Sequence, residues 1–377
     1  MRHAWLASAR LAASLSLASA TLFAQASDAL YARFTAITGW ELRGYSFDPG
    51  IDTKDVSQWN LPFVVVAPLG RSLSVDLTTR YAVGQIETYS GRSATLASFT
   101  DTQVRFLYTL RRDRLVATAA FTLPTGTHAL STSQFQVAAA VGSSYLSFPV
   151  AGYGTAFGVT SGLAYAARAG TWNVGWSGSL RYLGSYQPFA NDTLLYRPGV
   201  EWRLRAGADR LIGPASRLLL GLTVSTFSTD VYSGSSALLG GWYRPGTRYI
   251  TDLAFVRVVG RSSVSLALWN YYRRAGVTDT GTNPDTKENV FNGEFRVTYR
   301  VTSRLQFEPM VAYRQWNPSD YCGGRLRSGG LLARAALTDR LSATLGGRYD
   351  TGWILARGNG FATLEGYGGS VFLRYER

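Results

Sequence analysis

The feature that most restricts this chain is a period of two. From residue 58 onward, segments of about ten residues alternate apolar with polar or small side chains. Successive side chains on a strand point to opposite faces, whereas a helix repeats every 3.6 residues, so the chain reads as strands. In residues 290–301, Phe291, Gly293, Phe295, Val297, Tyr299 and Val301 share one face; Glu294, Arg296, Thr298 and Arg300 share the other. Residues 172–183 set Val174, Trp176, Leu180 and Tyr182 against Asn173, Ser177, Ser179 and Arg181. Residues 198–206 and 72–81 repeat the pattern, the latter with Leu73, Val75, Leu77 and Tyr81 against Ser74, Asp76, Thr78 and Arg80. On this basis the strands are predicted at 37–47, 58–67, 72–86, 99–110, 115–123, 154–168, 172–184, 196–208, 217–229, 247–259, 263–274, 289–301, 304–316, 328–337, 341–354 and 364–376.

A water-soluble sandwich or propeller also alternates. Three features point instead to a cylinder closed within a bilayer. The strands are long enough to cross lipid at a tilt, which takes about 9–11 residues. Tyr and Trp gather near strand ends, as at Trp40, Tyr45, Trp59, Trp269, Tyr271, Tyr272 and Trp353, where a membrane interface favours them. The chain ends in an alternating strand, Tyr367, Gly369, Val371, Leu373, Tyr375, and lipid offers no partner to an open edge. The expected fold is all-β, a transmembrane antiparallel up-and-down β-barrel of 16 strands, with 14 as the alternative.

The connections fall into two kinds. Short turns share a small or acidic residue, an arginine and an apolar strand start: Asp113-Arg114-Leu115, Ser216-Arg217-Leu218, Ser303-Arg304-Leu305 and Asp339-Arg340-Leu341, with Gly70-Arg71 and Gly260-Arg261 as looser copies. Their spacing of 43 or 44 residues, as between Arg71 and Arg114 or Arg217 and Arg261, is one hairpin plus one long loop. The longer connections, such as Ser185–Leu195, Val277–Asn289 and Asn317–Arg327, are polar and rich in Gly, Ser, Asn and Pro. Short turns at one end and long loops at the other describe an outer-membrane barrel.

Composition removes other classes. With 46% hydrophobic residues, 22 Tyr, 18 Phe and 10 Trp, the chain is too apolar for disorder. One cysteine, Cys322, cannot form an internal bridge. Beyond residue 26 no apolar run approaches the roughly 18 residues of a spanning helix. The N-terminus reads as an export leader: Arg2 and Arg10, an apolar stretch from Leu11 to Ala24, then Ala24-Gln25-Ala26 as a cleavage site. Residues 1–26 are thus expected to be removed, leaving 27–377 as one barrel domain. The net charge of +14 comes almost wholly from arginine, since Lys54 and Lys287 are the only lysines. These arginines recur singly within alternating segments rather than in a stripe, so no nucleic-acid partner is expected.

On the polar parity lie Asp76, Arg80, Asp101, Arg105, Glu201, Arg203, Arg205, Glu294, Arg296, Arg300, Glu308, Arg314, Arg334, Arg348 and Asp350. An arginine on the lipid face near the midplane costs roughly 2–4 kcal/mol, so this set is expected to face the lumen. There it could be a salt-bridge lattice filling the interior or a charged wall guiding solutes.

Pro124 to Tyr153 is too long and too apolar for a simple loop. Thr132 or Ser133 could cap a helix carrying Phe135, Val137, Ala138, Val141, Tyr145 and Leu146, stopped by Pro149. Such a helix, near 131–147, would fold into the mouth as a plug; two short strands or an outside helix are the alternatives. Leu30, Tyr31 and Phe34 within Ser27–Ala36 offer a second candidate plug.

The segments Phe99-Thr100-Asp101-Thr102-Gln103-Val104-Arg105-Phe106 and Phe121-Thr122-Leu123-Pro124-Thr125-Gly126 resemble a hairpin of certain outer-membrane proteins. These are the transporter-like barrels associated with the meta-cleavage pathway of phenol degradation, relatives of the long-chain fatty-acid transporters. The resemblance implies passage or capture of small hydrophobic molecules across the outer membrane. The Asn-Pro hatch of the fatty-acid transporters is absent after the cleavage site, and no ligand residue is carried over.

Catalytic chemistry has little material. Past the leader, His128 is the only histidine, so no multi-histidine metal site can form. With Ser131 and Ser133 nearby, a rim hydrolase acting on lipid is the remaining enzymatic option. The acidic loop from Asp279 to Glu288 has oxygen ligands but no recognisable calcium spacing. The expectation is an outer-membrane channel or transporter passing small hydrophobic or amphipathic molecules along their gradient, without cofactor or metal. The alternative is a non-transporting barrel that anchors surface loops or supports the envelope. Expected partners are outer-membrane lipid, a small solute and the barrel-assembly machinery, which would read the C-terminal strand.

Overall fold

A computed structural model of the protein describes residues 33–110, 114–234, 242–278, 287–319, 322–356 and 360–377. The wall is built from β1 (Thr35–Phe47), β2 (Thr53–Pro68), β3 (Leu73–Thr88), β4 (Ser93–Phe99), β5 (Thr102–Leu110), β6 (Leu115–Leu123), β7 (Gly158–Ala169) and β8 (Trp172–Leu183). It continues through β10 (Glu201–Ile212), β11 (Ser216–Phe227), β14 (Arg248–Val259), β15 (Ser262–Arg273), β17 (Glu288–Arg300), β18 (Leu305–Ser319), β19 (Cys322–Ala336), β20 (Leu341–Ala356) and β21 (Gly360–Glu376). Each stave pairs antiparallel with its sequence neighbours. β21 returns to β1, from Thr35 opposite Glu376 to Phe47 opposite Leu364, so the cylinder closes without an edge. β4 and β5 both pair with β3 and form two halves of one stave, giving sixteen staves around a 17-stranded sheet.

The outward parity is apolar. Leu163, Trp176, Leu204, Phe295, Val311, Leu331 and Leu345 are all exposed. Tyr349 and Tyr367 stand toward the long-loop end of this belt, and Phe34 and Tyr375 meet edge to face near the short-turn end, their ring centroids 6.5 Å apart. Such a continuous apolar surface has no place in water but matches the hydrocarbon of a bilayer.

Beyond the wall at the long-loop end stands a second, four-stranded sheet. It consists of β9 (Leu195–Arg197), β12 (Asp230–Ser233), β13 (Trp242–Arg244) and β16 (Val277–Thr278), in the order β16-β13-β12-β9. It prolongs β10, β11, β14 and β15 past breaks that include Pro198-Gly199 and Pro245-Gly246. Proline removes a ladder donor, and glycine weakens a strand, so the ladder stops there. The strand predicted at 196–208 is therefore two, and Glu201 opens the membrane-spanning part.

Other boundaries also move. Residues 93–99 form β4 rather than loop, and β19 starts at Cys322 rather than 328, so Asn317–Arg327 is not a long connection. Gly323, Gly324 and the outward Arg325 and Arg327 hide that strand from an apolar-alternation reading. The leader, residues 1–26, lies outside the described residues, as does most of the candidate plug at 27–36. Its described end is wall: Phe34 exchanges backbone hydrogen bonds with Arg377 at 3.1 and 2.9 Å, and Thr35 and Ala36 belong to β1.

Candidate gate in the barrel mouth

Between β6 and β7 the chain turns inward. Its helix α1 (Thr132–Val141) starts at Ser131, whose hydroxyl accepts from Gln134 N–H while the Gln134 side chain accepts from Ser131 N–H. This reciprocal pair satisfies two free donors of the first turn. The cap is thus one residue ahead of the expected Thr132 or Ser133. The helix stops at Val141 with Gly142 as its cap, so Tyr145 and Leu146 lie beyond it.

The helix and the chain after it are buried against the inner wall. Val137, Val141, Tyr145, Leu146, Phe148, Val150 and Tyr153 join Tyr45, Phe47, Val56, Leu96, Leu326 and Leu364 in one apolar cluster. Gly84 on β3 makes room: a Cβ there would lie 2.5 Å from Tyr153 Oη and 2.9 Å from Val137 Cγ1. The opposite side of the helix meets the next long loop, with Phe135 5.4 Å from Phe189 between ring centroids.

Polar side chains of the wall hold the backbone of this plug. Gln58 on β2 donates to Val150 C=O at 2.7 Å and accepts from Val150 N–H at 2.9 Å. Arg43 on β1 donates to the carbonyls of Leu146 and Ser147. Arg80 donates to Pro149 O at 3.0 Å, and Arg314 donates to Tyr145 O at 2.8 Å and to Asn292 Oδ1 at 3.2 Å. Tyr45 Oη donates to Leu146 O at 2.9 Å, and Tyr145 Oη to Trp353 O at 2.9 Å. Five staves thus grip residues 145–150. Burial of charged and polar groups is tolerable here because each meets a hydrogen-bonding partner.

Most of the other residues expected inside form ion pairs. Asp76 pairs with Arg105 across β3 and β5. Arg203 meets Glu201 at 2.7 Å, and Arg205 meets Asp252 at 3.0 Å. Arg296 meets Glu294 at 2.6 Å and Glu308 at 3.3 Å; Arg334 reaches Glu308 at 3.7 Å. Arg348 meets Asp350 at 2.6 Å. Arg300 departs from the expectation: it lies exposed at the short-turn rim, at the end of β17.

Asp101 is not on a strand at all. It lies in the break between β4 and β5, where its carboxylate accepts from Gly126 N at 3.2 Å and from Thr155 N and Oγ1, each at 2.7 Å. Both ends of the plug segment are therefore pinned at one point. Above this break β4 is paired only with β3. Its other edge meets the plug segment through the Ser98 side chain, whose Oγ accepts from Thr127 N–H at 2.9 Å and lies 2.9 Å from Thr127 Oγ1. The wall there is closed by the plug and not by a ladder.

His128 stacks edge to face on Tyr186, with ring centroids 6.1 Å apart. Ser131 and Ser133 bond each other and the helix start instead of the imidazole, so no serine–histidine pair assembles. The acidic loop lies outside the described residues from 279 to 286; Glu288 within β17 bonds Ser144 of the plug. Arg43 and Gln58 were missed by the sequence reading, and Tyr45, expected among the interfacial aromatics, is instead buried inside the barrel against the plug. Their inward parity was visible, but nothing in the sequence marks them as partners of a distant backbone.

No family model matches the chain, and no curated protein does. Among solved structures, the TodX deltaS2S3 mutant monoaromatic hydrocarbon channel is 10% identical over 91% of this chain and 90% of its own, with a TM-score of 0.48. A Pseudomonas aeruginosa FadL homologue is 10% identical over 91% and 90%, with a TM-score of 0.45. A bacterial polysaccharide outer membrane secretin is 10% identical over 90% and 98%, with a TM-score of 0.46. These likenesses bring no cargo or mechanism to this chain. Its own closed wall, apolar belt and inward ion pairs decide what it is. The chain is a transmembrane β-barrel of the outer-membrane type.

Proposed function

We propose that this barrel is a channel of the outer membrane that passes small hydrophobic or amphipathic molecules along their own gradient. The observation that carries the proposal is the apolar lining of the mouth. Tyr45, Phe47, Leu96, Leu326 and Leu364 face inward, where a water-filled pore would be polar, and the plug covers them with Tyr145, Leu146, Phe148 and Tyr153. A solute that displaces the plug must replace apolar contacts, which favours apolar cargo. The interrupted stave at Thr100-Asp101 places the same segment in the wall, so its movement opens the mouth beside the lipid. Below the plug, the ion pairs of Asp76, Glu201, Arg205, Glu294, Glu308 and their partners shape a path of balanced charge.

The test is uptake into liposomes of an apolar aromatic probe and of a hydrophilic sugar, using the intact barrel and a variant lacking residues 131–147. The expected result is slow, apolar-selective uptake by the intact protein and faster uptake by the variant. Membranes that stay sealed to the apolar probe with both proteins refute transport and leave the barrel as an anchor for its loops.

A further inference from the structure

The short-turn end carries a charge pattern that transport does not use. Eight junctions join the staves there, and each bears an exposed arginine. These are Arg377 where β21 meets β1, Arg71, Arg114, Arg168, Arg210, Arg261, Arg304 and Arg340. None of the eight forms an ion pair among the described residues. Acids at this end are few. Asp209 and Glu376 are held by Arg217 and Arg374, Asp339 stands in the turn beside Arg340, and in the sequence Asp113 directly precedes Arg114. At the long-loop end the rim cations Arg92 and Lys54 are paired, with Asp52 at 2.9 Å and Glu87 at 2.7 Å, while Arg197, Arg244, Arg274, Arg325 and Arg327 stand exposed on the outer sheet and loop-side strand ends rather than one at every junction. Both lysines of the sequence lie at that end.

We infer that this arginine collar seats the phosphate groups of anionic phospholipid in the leaflet that surrounds the short turns. Three observations select lipid. First, the arginines follow the whole circumference, one or more per junction, whereas a protein partner would cover one arc. An occupant that encircles the barrel is the bilayer leaflet itself. Second, the collar is continuous with the lipid-facing belt. The Arg210 guanidinium lies 5.7 Å from the ring of Trp172 on the neighbouring stave, where an interfacial aromatic belongs. Third, the residue is arginine at every junction. Its planar fork binds phosphate oxygens in pairs, which the point charge of lysine does not. Cations held near an anionic leaflet gain roughly fivefold in partition each, falling as salt screens them. The inference needs only that the barrel spans a bilayer; it does not depend on the transport reading.

The test uses the full mature barrel in nanodiscs of zwitterionic phospholipid, with and without phosphatidylglycerol. The readouts are the unfolding midpoint and the lipids retained in native mass spectrometry. Phosphatidylglycerol is expected to raise the midpoint at low salt, to lose that effect at high salt, and to dominate the retained lipid. Replacing Arg71, Arg114, Arg261, Arg304 and Arg340 by glutamine should abolish the shift and the retention while the midpoint in zwitterionic lipid stays put. A control with Arg325→Gln and Arg327→Gln at the opposite end should leave both intact. If the fivefold variant fails to fold, the pairs Arg71→Gln with Arg114→Gln and Arg304→Gln with Arg340→Gln should each remove part of the effect. Unchanged preference for phosphatidylglycerol in the variants overturns the proposal. So does a wild-type barrel indifferent to it, or one whose collar is taken by a soluble polyanion in preference to the lipid.

Discussion

Replacing Gln58 by methionine isolates the grip on the plug. The Gln58 side chain is fully buried and satisfies both polar groups of the Val150 peptide, at 2.7 and 2.9 Å. Methionine has similar bulk and neither partner. Each backbone group left unsatisfied costs about 1–3 kcal/mol, and water reaching the loosened site keeps the pair near the lower end, about 2–3 kcal/mol together. If the plug leaves the wall as a body, that shifts its opening by roughly 30- to 150-fold. The assay is amide hydrogen exchange at Ser147, whose N–H bonds Ser143 O at 3.0 Å and has no direct tie to Gln58. Ser147 should exchange faster by that factor, and uptake of the apolar probe should rise with it. Faster exchange confined to Val150, with Ser147 unchanged, would refute a plug that moves as one piece.

Gly84→Val drives two methyls into Tyr153 and Val137, so segment 124–157 should become open to protease while the wall keeps its unfolding midpoint. Protection equal to wild type would mean that the wall, not the plug, yields. Glu308→Gln removes the carboxylate shared by Arg296 and Arg334 at a position only 1% exposed, and should cost about 3 kcal/mol in denaturant unfolding. A loss under about 1 kcal/mol would show that lumen water already screens the trio. Asp230, outside the bilayer, accepts from Tyr196 Oη at 2.6 Å and Gly199 N at 2.7 Å, yet burial holds its carboxyl above the ordinary carboxylate range. A raised acid favours its neutral form. The outer sheet should therefore be firmest below about pH 4 and loosen as pH rises through the raised value. Exchange of the 195–197 and 230–233 amides across that range checks this, and Asp230→Asn should flatten the profile.

The wall was legible because a bilayer constrains every residue of a stave. Glu294 and Arg296 had to point away from lipid, and Phe295 and Val297 toward it, so parity alone placed them. Outside the bilayer that constraint lapses. β9 and β12 are short, and Tyr196 and Tyr232 stack on each other with centroids 5.0 Å apart without a repeated apolar face to announce them. Arg300 had the right parity but the wrong height, because period two says nothing about position along the axis. The plug was visible as an apolar excess between Pro124 and Tyr153. Its tethers were not, since Arg43, Gln58 and Arg314 bind carbonyls, which every residue possesses. The break at Thr100-Asp101 was invisible for a related reason: apolar alternation runs through Phe99 and resumes at Val104, and the chain parts where a carboxylate turns to another segment.

That carboxylate ties the two irregular features of the barrel together. Asp101 sits where the stave divides, and it holds Gly126 and Thr155, the two ends of the plug segment. The ends also run side by side, for a Cβ on Gly154 would lie 2.7–2.8 Å from the backbone of Gly126 and Thr127. A segment pinched at its base and gripped at its tip by Gln58, Arg43 and Arg314 has a defined way to move: the tip releases and the base stays. Asp101→Asn removes the charge from three hydrogen bonds, each worth about 1.5–3 kcal/mol when the acceptor is charged. If the base is a pivot, exchange should rise at Gly126 and Thr155 while Ser147 stays within about twofold of wild type, since tip release never breaks the pinch. Should Ser147 accelerate as strongly as it does in Gln58→Met, the segment lets go at both ends at once, and a plug swinging about Asp101 is the wrong picture.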